Sequence, residues 1–245
     1  MIFARLTWAF VLVAALTGCA RLPGPAPITA PNLTAALTPV IPARLPVETA
    51  ARNFTEVVAR IEPLAEATCR EVTPNRNCDF QIGVDMTLTQ PPNAYQTTDA
   101  TGRPQIVFTI ALIAEARNSD ELAFVLGHEA SHHILGHLDQ TQQEALNGAI
   151  LGGILASVTG ADAQAVERAQ QMGAQFGALR FSKSHELEAD QLGTLIAASA
   201  GYDPVLGAQF FARLPDPGEG FLNSHPANAQ RQAIVAETYA QIRAQ

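Results

Sequence analysis

The chain has 245 residues, 47% of them hydrophobic and 16% charged, with a formal net charge of −8. That length supports one sizeable domain with a full apolar core, or two small ones. The composition excludes a disordered chain, and the acidic balance argues against a nucleic-acid binder, which needs a basic face.

The N-terminus reads MIFARLTWAFVLVAALTGCARLPG. One cation, Arg5, precedes an apolar run from about Leu6 to Leu16. The run is shorter than the ~20 residues of a membrane span and has the anatomy of an export signal. Its end, Leu16-Thr17-Gly18-Cys19, resembles the bacterial lipobox. That resemblance implies cleavage of residues 1–18 and lipid modification of Cys19, anchoring the chain to a membrane leaflet. Ala20 after the cysteine is similar to the outer-membrane sorting case.

From Ala20 to Pro46 the sequence holds seven prolines and little charge, so residues 19–46 are expected to be an extended tether. A folded domain is expected over residues 47–245. Apolar residues at 47, 50/51, 54, 57/58, 61 and 64/65 follow a helical period. Cys69 and Cys78 come next. In an exported chain this remaining pair reads as a disulfide closing the polar turn CREVTPNRNC.

Phe80, Ile82, Val84 and Met86 alternate, as in a half-buried strand. A Pro-Pro break, an extended piece around Asn93–Thr98, a polar turn with Gly102 and a strand at Ile106–Thr109 complete what reads as a small antiparallel sheet. Asn118 can then cap a helix, with Glu121 at its third position. Downstream, ALNGAILGGILASVTG is apolar and glycine-rich but short for a membrane span, which favours a packed or membrane-apposed helix.

Four of the six histidines fall in LGHEASHHILGH, residues 126–137. At ~100° per residue, His132 lies about 40° from His128 and Glu129 about 100°, whereas His133 and His137 fall near 140° and 180°. His128 and His132 therefore share a face and can ligate one ion, and Glu129 flanks that face as a base for a metal-activated water. This is the physical content of H-E-x-x-H. His133 and His137 are expected to point elsewhere, in packing or hydrogen bonding. A metzincin would need glycine at 135 and histidine at 138, where Leu135 and Leu138 stand.

The third ligand is then expected from FSKSHELEADQLG, residues 181–193. Glu186 and Asp190 share a helical face, and Glu188 lies on the far side. One of the pair can bind the ion while the other accepts from a ligand imidazole.

Together, ELAFVLGHEASHHILGH, FSKSHELEADQLG, AGYDP and SHPANAQRQ resemble the HtpX/CAAX-prenyl-protease family of gluzincin metallopeptidases, and within it the soluble periplasmic lipoprotein branch. The resemblance runs from about Val47 to the C-terminus. It implies an α+β, predominantly helical zincin-like domain whose sheet edge flanks the active-site helix, with one zinc ion per chain. It implies Glu186 as the third ligand and Asp190 as the group behind a ligand. Asn93, Ala94 and Tyr95 match the family's active-site edge strand, where a substrate backbone adds as an extra strand. His225 and Arg231 match downstream positions that stabilise the oxyanion, or at which His225 occupies the zinc's open position. The expected function is a zinc endopeptidase of the bacterial cell envelope acting on misfolded or unassembled envelope proteins. The rivals are a non-proteolytic zinc-binding assembly factor or chaperone, and a zincin acting on peptidoglycan amides.

Overall fold

The amphipathic spacing after Pro46 produces α1 (Val47–Val72), whose Ala50, Val57, Ile61, Ala65 and Cys69 form one buried stripe. The structure, a computed structural model, describes residues 43–214 and 227–244, apart from the side chains of 179–182. Cys19, most of the tether and His225 lie outside the described residues. Cys69 and Cys78 form a disulfide and are both buried. Closing so short a loop contributes about 2–3 kcal/mol of chain entropy. It also fixes the end of α1 against the start of the sheet.

The sheet comprises β1 (Gln81–Asp85), β2 (Ala94–Thr98) and β3 (Pro104–Thr109), in the order β1-β3-β2. It is mixed rather than antiparallel, because β1 pairs parallel with β3. The reason is local. The loop from Met86 to Asn93 carries Pro91-Pro92 and is too long for a tight hairpin, so β2 passes to the far edge. A turn held by the Asp99 carboxylate, which accepts from the Thr101 and Arg103 amides, then returns the chain as β3 between the two.

A short helix that the periodicity did not reveal, α2 (Ile110–Glu115), follows β3 directly, capped by Thr109, whose hydroxyl accepts from the Leu112 amide. Next comes α3 (Ser119–Leu135), with the Asn118 side chain accepting from the Glu121 amide as its N-cap. It is buried almost all round and packs on α1, on the sheet and on α5. Gly136 ends it in the left-handed region, at φ 74°. Helix α4 (His137–Val158) begins at once in a new direction and forms a hairpin with the 37-residue α5 (Ala163–Ser199). The short α6 (Pro204–Gly207), a 3-10 turn (Ala208–Arg213) and α7 (Asn228–Arg243) complete the described chain. Predominantly helical α+β architecture with β2 as a sheet edge is what the sequence implied.

Helices α3 and α5 cross at two glycines. A Cβ on Gly193 would stand 2.8 Å from the His128 backbone nitrogen, and one on Gly127 would stand 2.9 Å from the Gly193 carbonyl oxygen. Only glycine permits this approach, and it brings the carboxylates of α5 against the histidines of α3.

Candidate metal centre and active-site cleft

The three donors of the site are delivered by the α3–α5 crossing. Nε2 of His128 lies 3.0 Å from Nε2 of His132. Glu186 completes a triangle, with Oε2 3.5 Å from His128 Nε2 and Oε1 3.5 Å from His132 Nε2. A tetrahedral zinc with bonds near 2.1 Å needs ligand atoms about 3.4 Å apart. The three donors therefore have the chemistry and spacing of a zinc site, and the sequence pattern that named them is met in space.

The far side of each imidazole is also held. His128 Nδ1 lies 2.9 Å from Asp190 Oδ1, which turns its Nε2 toward the triangle. His132 Nδ1 lies 3.0 Å from His137 Nδ1, and His137 Nε2 lies 3.4 Å from Glu188 Oε2. One assignment satisfies every partner: His132 donates from Nδ1 to His137, and His137 donates from Nε2 to Glu188. His137 thus lies against the site. It was expected half a turn away because the 100° spacing was carried through Gly136, where the helix in fact breaks. His133 does point elsewhere, its Nε2 bonding the Asn77 carbonyl and its ring meeting Phe80 edge-on.

Arg231 of α7 is buried behind the donors. Its Nε and Nη2 donate to Asp190 at 2.8 and 2.7 Å, and Nη2 lies 3.3 Å from Glu186 Oε2. Its guanidinium sits 3.7 Å from the centre of the Phe211 ring, a close cation–π stack. The described geometry thus makes Arg231 a clamp on the two carboxylates at the cleft's edge.

Charges in this arrangement follow from burial and neighbours. Burial and the Arg231 charge oppose protonation of His128, but hydrogen bonds to Asp190 and Glu186 outweigh them and push its pKa up to about 9. Burial and the His128 charge push His132 down to about 2. Burial, followed by its neighbour His185, pushes His137 down to about 4 and keeps it neutral. Burial pushes Glu129 up to about 7, with the His128 charge opposing and Glu186 adding.

These groups line a cavity of about 500 Å³. Asn93, Ala94, Tyr95 and Gln96 form one wall and Glu129 opens into it. The wall is fixed by Thr109. Its amide donates to the Asn93 carbonyl, and its hydroxyl accepts from the Asn93 amide. That makes 93 and 109 a hydrogen-bonded pair, so alternation along an antiparallel ladder turns the backbone groups of Ala94 and Gln96 outward, toward the cavity. Sequence reasoning missed Gly127, Gly193 and Phe211, and it gave His137 a packing or hydrogen-bonding role but placed it away from the site. A glycine closing a helix was the available signal for His137; nothing in the sequence alone marks the others.

The model of peptidase family M48 matches residues 52–238, and the chain belongs to that family. It is 32% identical over 136 residues to the mitochondrial metalloendopeptidase OMA1 of Arabidopsis thaliana, covering 54% of this chain and 27% of that protein. It is 33% identical over 112 residues to a putative beta-barrel assembly-enhancing protease of Vibrio cholerae, covering 43% and 23%. The beta-barrel assembly-enhancing protease of Escherichia coli K12 is 28% identical over 152 residues, covering 56% and 31%. The chain thus spans less than a third of the length of these three relatives.

Proposed function

We propose that the chain is a zinc-dependent endopeptidase of the bacterial cell envelope. The observation that carries this reading is the triangle of His128, His132 and Glu186 at zinc-ligand spacing, beside Glu129 and below an outward-facing strand edge. When bound there, zinc would supply Lewis-acid activation of a water and of the scissile carbonyl. Glu129 accepts the proton of the attacking water and later returns it to the leaving amine. Asp190 and Arg231 hold His128 and Glu186 in place, and His137 holds His132. An extended substrate pairs with Ala94 and Gln96 as an added strand, a mode that reads backbone rather than side chains and so accepts many sequences.

Membership of the lipoprotein branch, with residues 1–18 as signal, Cys19 acylated, 19–46 as tether and 47–245 as peptidase domain, accords with the N-terminal sequence. The envelope assignment is supported by relatives named as beta-barrel assembly-enhancing proteases. Misfolded or unassembled envelope proteins are the proposed substrates, and His225 the proposed partner of the oxyanion or of zinc's open position. Casein hydrolysis tests the core of this reading. The zinc-loaded chain should cleave it, a chelator should stop cleavage, and stoichiometric zinc should restore it. Cleavage that survives zinc removal contradicts the proposal.

A further inference from the structure

The α4–α5 hairpin is built inside out. Leu146, Ile150, Leu151, Ile154, Leu155 and Val158 of α4, with Met172 and Phe176 of α5, are 48–82% exposed. At ~100° per residue the six on α4 cover about half the helix circumference. The seam between the helices is instead glycine. A Cβ on Gly148 would stand 2.0 Å from the Gly173 carbonyl oxygen, one on Gly152 2.2 Å from that of Ala169, and one on Gly177 2.0 Å from that of Glu144. Gly148 and Gly152 are four apart, as are Gly173 and Gly177.

A helix pair in water is held by turning large apolar side chains inward. Where the surroundings are themselves apolar that drive vanishes, small residues line the seam and large ones face out. This hairpin follows the second rule. Residues 145–161 carry no charge, so the α4 part of the face offers no ion pair to a charged partner, and the exposed Glu167 and Arg168, one turn before Met172 on α5, balance each other. Among the described elements α4 packs on α5 and only grazes α3. No described helix is long and apolar enough to cross a membrane.

We propose that this face seats the domain on a lipid bilayer by shallow, uncharged insertion. The chain preceding the domain supports the same occupant. Residues 19–46 form a proline-rich stretch that, at ~3.1 Å per residue, spans up to ~85 Å. Lipid at Cys19 would confine the domain near a bilayer without orienting it; the hairpin orients it. Its root, His137 and Leu138, lines the cleft. The seated face begins at Leu146, about 13 Å along α4 from His137, so the cleft would stand within about 13 Å of the lipid, facing substrates at its surface.

The test uses the full chain with Cys19→Ala, so that no acyl group is present, and a polarity-sensitive fluorophore at Leu151→Cys or, as control, at Arg52→Cys on α1. With phosphatidylcholine vesicles, the fluorophore at 151 should shift to the blue and be quenched by brominated acyl chains, and the one at 52 should not. Adding phosphatidylglycerol or salt should not strengthen binding. Ile150→Gln/Ile154→Gln/Leu155→Gln should weaken partitioning at least about tenfold while casein cleavage persists. Vesicle-bound protein with an unshifted fluorophore at 151 overturns the proposal, as does absence of vesicle binding. A fluorophore already shielded without vesicles also overturns it. Shielding that fades on dilution assigns the face to a second copy, and shielding that persists assigns it to the chain's own N-terminal segment.

Discussion

Nδ1 of His137 lies 3.0 Å from Nδ1 of His132, so the first residue of α4 supports a histidine of α3 across the break at Gly136. With Asp190 behind His128, both imidazoles of the donor triangle are oriented from outside it. Partners of this kind set a ligand's tautomer and ring angle, and losing one costs metal affinity without removing a ligand.

His137→Phe should therefore lower zinc affinity by about 10- to 100-fold. Casein cleavage should recover when zinc is raised. Competition with a chromophoric chelator measures the first effect and a zinc titration of activity the second. Unchanged affinity would show that the His132–His137 contact is idle.

The α3–α5 crossing makes a sharper demand. In Gly193→Ala the new methyl would meet the His128 backbone at 2.8 Å, and neither backbone can yield without parting the helices. Such overpacking costs about 1–3 kcal/mol, and it separates Glu186 from the histidines. A lower denaturation midpoint and loss of zinc binding are expected together. Gly83→Ala, where a Cβ meets nothing within 4 Å, should lose neither.

Proton release reports the electrostatics of the site. His128 is held protonated up to about 9, while His132 is neutral down to about 2. Zinc must displace the His128 proton at any pH below about 9, and affinity should fall about tenfold per unit as pH drops toward 7.5. At about pH 8, above the value of about 7 for Glu129, calorimetry in two buffers of different ionisation enthalpy should register about one proton released. Zero release would contradict the charge assignment.

Much of this was legible in the chain. The H-E-x-x-H spacing put His128 and His132 on one face because α3 is a straight helix over that interval. The spacing of Glu186 and Asp190 did the same on α5. Legibility failed where a backbone event intervened. Gly136 redirects the chain, so angular reasoning misplaced His137. The long Pro91-Pro92 loop sent β2 to the far edge, so the sheet became mixed. Glycines 127 and 193 carry no side chain to form a pattern, and their role exists only once two helices cross. The apolar stretch of α4 was visible, but that its large side chains face outward depended on the glycine seam with α5.

The strand edge gives a separable prediction. Ala94→Pro removes an outward backbone N–H from an edge strand, a position where proline is tolerated. It should lower kcat/KM for casein by about tenfold, the worth of one backbone hydrogen bond to substrate. Zinc content and thermal midpoint should stay near wild type. Unaltered kinetics would remove strand addition from the account.

The most direct measurement of the central claim is casein hydrolysis by the zinc-loaded full chain beside Glu129→Gln, with the zinc content of both determined. Glutamine keeps the shape and cannot take a proton, so the account predicts one zinc in each protein and cleavage only in the wild type, the variant falling at least about 100-fold. Equal cleavage by both would remove Glu129 as the base, and no cleavage by either with zinc in place would contradict the peptidase assignment itself.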